Sequence, residues 1–93
     1  MTTTTIGYLF TNPDTGSISL AVPCEPCATF HWHGAGTVAR PLHAPGEVTE
    51  RVSHCPNGND YTTITIQPEP YRRAWVTGRR GRFSAAYRRA VTR

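Results

Sequence analysis

All three cysteines and all four histidines of this 93-residue chain fall between Cys24 and Cys55. That crowding constrains the fold more than any other feature. A domain this short buries only about two-thirds of its unfolded surface, and 38% apolar residues with eight Gly and eight Pro leave a lean, loop-rich chain. Such a core needs a staple, and thiols with imidazoles are what the sequence offers for one.

Cys24-Glu25-Pro26-Cys27 is a CxxC turn, a spacing that lets two thiolates reach one metal while nearby backbone amides stabilise the sulfur charge. Ser53-His54-Cys55-Pro56-Asn57-Gly58 reads as a second knuckle, with Cys55 placed at a turn. An odd number of cysteines suits a metal site completed by histidine better than a disulfide framework. A redox reading of CxxC would need a βαβ context that the sequence does not show. Structural zinc wants four ligands in a tetrahedron, so Cys24, Cys27 and Cys55 need one histidine. On an extended strand His31 shares a face with Cys27 at about 13 Å, against about 20 Å for His33. His31 is therefore the first choice. His54 adjoins Cys55, but strand neighbours point to opposite faces; His54 and His33 stand as alternatives, and His43 in its Pro-flanked loop comes last.

The elements around these ligands read as strands. Thr5 to Thr11 and Ser17 to Val22 flank Asn12-Pro13-Asp14-Thr15-Gly16 and predict a β-hairpin over 5–22. Ala28 to His33 is a third strand, and Gly34 to Gly46 a loop in which Gly34 and Gly36 give a tight exit. Glu47 to Ser53 and Tyr61 to Gln67 are two more strands, joined across Asn57-Gly58. Pairing of 28–33 with 47–53 would bring Cys55 beside the first knuckle, as in a zinc ribbon. After Pro68 and Pro70, residues Phe83, Ala86, Tyr87, Ala90 and Val91 share one helix face, with Ser84 as cap and a flexible Gly-Arg-Arg-Gly-Arg joint before it. The expected fold is small and mainly β, a zinc-ribbon-like antiparallel sheet with a C-terminal basic helix. Residues 1–69 form the zinc-stabilised β domain and 70–93 an Arg-rich, partly helical arm.

Charge divides at the same boundary. All ten basic residues are Arg, and residues 70–93 carry eight of them and no acid, while 1–69 carry two Arg and all six acids. A GC-rich genome would account for Arg in place of Lys, but not for the clustering. A single-sign segment gathers counter-charged partners. The expected nucleic-acid contacts are Arg72, Arg73, Arg79, Arg80, Arg82, Arg88, Arg89 and Arg93, with Tyr71 and Trp75 as stacking rings. Trp32 has two readings, a ring packed under the sheet or an exposed platform. No stretch reaches the length of a membrane span, and the start MTTTTIGYLF lacks a basic n-region and a long apolar h-region. The expected location is the cytoplasm, and the sequence leaves the oligomeric state open.

Cys24-Glu25-Pro26-Cys27, His31-Trp32-His33-Gly34-Ala35-Gly36 and His54-Cys55 resemble the CxxC, HxHGxG and HC pattern of small uncharacterised proteins of actinobacteria and their phages. The resemblance covers about residues 22–66 and implies a zinc-binding β domain. Ala28 departs from it, standing where the residue after the second Cys is usually Gly.

Three functions follow as expectations. The first is a zinc-stabilised protein that docks on nucleic acid or a nucleoprotein complex through the arm. The second is an interaction factor, phage-encoded or not, that meets an acidic surface of a host transcription, replication or translation protein. The third is a metal-dependent nuclease using His31 or His33, which the lack of an evident carboxylate pair disfavours. An enzyme is not expected.

Overall fold

In a computed structural model of the chain, residues 3–53 and 55–91 are described. His54 and Arg93, named above as an alternative ligand and a nucleic-acid contact, lie outside the described residues. The protein is mainly β, as expected. A five-stranded sheet of β1 (Thr4–Thr11), β2 (Ser17–Cys24), β3 (Thr29–Thr37), β4 (Val48–Glu50) and β5 (Thr63–Ile66) runs in the order β3-β2-β1-β5-β4. A small antiparallel pair, β6 (Val76–Thr77) and β7 (Arg82–Phe83), and one helix, α1 (Ala85–Val91), follow.

The first hairpin forms where its turn residues stand: Asn12 Oδ1 accepts from the Asp14 amide at 2.8 Å, and Gly16 takes φ +76°. β1 and β2 pair antiparallel, and β2 pairs antiparallel with β3 around the CEPC turn. That second pairing corrects the expected one. Closing two adjacent strands over a turn of four residues costs little loop entropy, so β3 takes β2 as neighbour and not the 47–53 segment. β4 is shorter than expected and pairs with β5, which lies parallel to β1. β3 also runs on into the stretch expected as a loop. Gly36 sits inside it at φ +89°, and the Arg40 carbonyl oxygen lies 2.4 Å from where a Cβ would stand.

The sheet curls until its two edges meet. Arg51, just past β4, donates to the Gly34 carbonyl of β3 at 3.3 Å, and its guanidinium also bonds Thr49, the Glu50 carbonyl and His43. The inner face buries Leu20, Val22, Ala35, Tyr61, Ile64 and Ile66. This curl returns Cys55 to the first knuckle across the sheet, without the expected strand pairing.

The outer face buries Tyr8, Ala21 and Phe30 under Tyr71, Trp75 and Tyr87. The charge boundary at residue 70 is therefore not a packing boundary, because the arm's aromatic rings complete the core of the sheet. Phe30 meets Tyr71, Trp75, Phe83 and Tyr87. The joint expected to be flexible is the ordered β6–β7 turn. Ser84 caps α1, its Oγ accepting from the Tyr87 amide at 3.3 Å. Ala86 and Ala90 pack with Tyr87, while Val91, expected on the same face, is exposed. Among the described residues no helix is long and apolar enough to cross a membrane.

Candidate metal centre and basic face

Cys24 ends β2, Cys27 stands in the following turn, His31 lies on β3, and Cys55 comes from the loop between β4 and β5. Their four ligand atoms lie within 4.8 Å of one another, close enough to hold one metal ion. Cys55 Sγ is 3.7 Å from Cys24 Sγ and 3.5 Å from Cys27 Sγ, and Cys27 Sγ is 3.8 Å from His31 Nε2. These are the first-choice ligands of the sequence reading. His33 is not among them: its Nε2 bonds the Tyr61 hydroxyl at 2.6 Å, on the inner face. His43 sits between Arg51 and Glu47, at 3.3 and 3.7 Å.

Backbone and side-chain N–H groups surround the sulfurs. The Asn57 amide donates to Cys55 Sγ at 3.4 Å, and Asn57 Nδ2 donates to Cys27 Sγ at 3.0 Å. Burial pushes the Cys24 thiol up to about 11. Burial acts the same way on Cys55, but the amides of Asn59 and Asn57, with His31 and Cys27, outweigh it and bring that thiol down to about 6. A thiolate is the form that binds metal. The sequence reading placed Asn57 in the second knuckle, but the bond from its side chain to Cys27 of the first knuckle escaped it.

The knuckle also carries the C-terminal segment. Phe83 donates its amide to the Ala28 carbonyl at 2.8 Å, Thr29 Oγ1 donates to the Gly81 carbonyl at 2.6 Å, and Arg82 Nη1 donates to the Cys27 carbonyl at 3.0 Å. Arg88 pairs with Glu25, inside the CxxC turn, at 2.7 Å. Two of the expected nucleic-acid contacts are thus anchored to the metal turn.

Tyr71 and Trp75, expected as stacking rings, are 8% and 3% exposed and belong to the core. Their apolar area is worth more against Phe30 and Tyr8 than in water. The arginines behave differently: Arg72, Arg73, Arg79, Arg80, Arg82, Arg88 and Arg89 are all exposed. The Arg73 guanidinium lies over the Phe10 ring at 5.2 Å, and Arg72 and Arg89 line an open cleft with Glu69 and Trp75. No protein-family model, curated protein or solved structure matches the chain.

Proposed function

We propose that this chain is a small zinc-stabilised binding protein that docks on nucleic acid through the arginine face of its C-terminal segment. Zinc is supported by the donor set and by its spacing. A tetrahedral ion with sulfur at about 2.3 Å sets sulfur neighbours about 3.8 Å apart, and the observed separations are 3.5 and 3.7 Å. Three cysteines and one histidine fill all four positions from the protein, the mark of a structural ion and not of one that keeps a place for water. No carboxylate joins the cluster among the described residues. A binding protein fits this closed centre better than a nuclease.

One observation carries the nucleic-acid reading. The segment from Tyr71 to Val91 turns its rings inward to the sheet and leaves its seven described arginines on the outside. The aromatic residues hold the charges in place, so seven arginines, one of them paired with Glu25, are displayed on an ordered frame. Such a surface neutralises phosphates and releases counterions.

Fluorescence anisotropy with labelled single-stranded and duplex oligonucleotides tests this. Binding should weaken by about 300-fold for a single strand to about 2,000-fold for a duplex between 50 and 200 mM salt if six phosphates are contacted. Absent or salt-independent binding would contradict the reading. A protein partner that is captured by the full chain and survives nuclease treatment, with no oligonucleotide binding, would favour an acidic protein surface instead.

A further inference from the structure

Trp32 is the most exposed aromatic ring among the described residues, at 48%. It lies on β3, at the sheet edge, on the face that the C-terminal segment covers. One strand position pair away, Phe30 is enclosed by four rings. Among the described residues, the rings that Trp32 meets are Phe10, at 6.2 Å, and Tyr71, at 4.8 Å, both edge to face. The cover reaches only the edge of this ring, although a Trp has a large apolar area to gain from being covered.

Positive charge stands one ring away from Trp32. Arg73 stacks on Phe10, the ring next to it, and Arg72 follows along the chain into the cleft shared with Arg89 and Trp75. Two arginines against the single carboxylate of Glu69 leave that cleft with a formal charge of +1. An open ring, a guanidinium over the ring next to it, and two further arginines on the same C-terminal segment match a ligand that alternates flat rings with negative charges.

We infer that Trp32 is the stacking platform for an unpaired base of single-stranded nucleic acid, with Arg73, Arg72 and Arg89 holding the adjoining phosphates. This rests on the nucleic-acid reading above and narrows it. A duplex hides its base faces within the stack, so it gains nothing from an isolated ring on a sheet edge. An acidic peptide pairs with the arginines but has no flat group for the tryptophan. Base stacking on an aromatic side chain tolerates sequence, because every base has a π-face.

The test uses the full zinc-loaded chain and an oligothymidylate of about 12 nucleotides. Trp32→Ala should weaken binding by about 5- to 150-fold while leaving the salt slope unchanged. Trp32→Phe should keep much of the affinity. Arg72→Gln and Arg89→Gln should each lower the slope of log affinity against log salt by about 0.7. Binding should quench tryptophan emission much more strongly in the natural chain than in Trp32→Phe, whose remaining Trp75 is buried. Circular dichroism of each variant keeps a folding defect apart from a lost contact. Undiminished binding by folded Trp32→Ala would overturn this inference alone, as would equal affinity for duplex or effective competition by polyglutamate. No binding by the natural chain would overturn the nucleic-acid reading with it.

Discussion

Ala28 has the only positive φ among the described non-glycine residues, at 55°. It closes the CEPC turn, where its amide donates to the Glu25 carbonyl at 3.1 Å, and aims the chain back along β2. A left-handed residue with a Cβ costs about 1–2 kcal/mol, and glycine returns about 0.4–1 of that through the unfolded chain. Ala28→Gly should therefore stabilise the protein by about 0.5–1 kcal/mol in urea unfolding of the metal-loaded form; a loss of stability would refute the strain. The sequence reading singled out this position only as a departure from the pattern it was set against; the backbone angle supplies the reason. The opposite change at Gly36 meets the Arg40 carbonyl as well as an unfavourable φ. Gly36→Ala should destabilise by about 2 kcal/mol or more, measured the same way.

At the scale of elements, what was legible was local. Asn12 to Gly16 announced the first hairpin, Asn57-Gly58 the turn before β5, and Ser84 the start of α1. The parallel pairing of β1 with β5 had no signal in adjacent residues, because residues more than fifty positions apart make it. The rings of Tyr71 and Trp75 were visible as aromatic residues among arginines, a pattern that serves equally for stacking on bases and for covering a sheet. The burial of Phe30 and Tyr8 beneath them decides for the sheet. The knuckle and the β6–β7 pair then form one structural unit, joined through Ala28, Thr29 and Cys27. Metal removal should loosen both together. Hydrogen exchange at the Phe83 amide, which bonds the Ala28 carbonyl, should speed up on chelation as much as exchange within the CxxC turn. Unchanged protection at Phe83 would show that the arm docks without the metal.

For the molecule as a whole, one curled sheet carries two apolar clusters, and the C-terminal segment closes the outer one. Tyr87 sits in that closure, and burial pushes its hydroxyl up to about 12, with Tyr8 and Glu25 adding to the rise. Tyr71 and Tyr8 are raised as well, first by burial. The folded state thus holds its phenol protons more tightly than the unfolded chain, whose tyrosines ionise near pH 10. This stabilisation is present below about pH 10 and is lost as pH climbs towards 12. Alkaline titration should show tyrosinate absorbance rising together with loss of β circular dichroism; ionisation of all four tyrosines with the fold intact would contradict the packing. At neutral pH the larger contribution would come from the proposed zinc ion. Structural zinc in small domains contributes about 10–16 kcal/mol of apparent binding energy, against about 5–15 kcal/mol for a whole folded domain. Metal content measured by native mass spectrometry, followed by chelation under circular dichroism, tests the centre most directly. The expected result is one zinc ion per chain, lost in Cys55→Ser, with the β signal collapsing as the ion is withdrawn. A metal-free chain that is fully folded would contradict it.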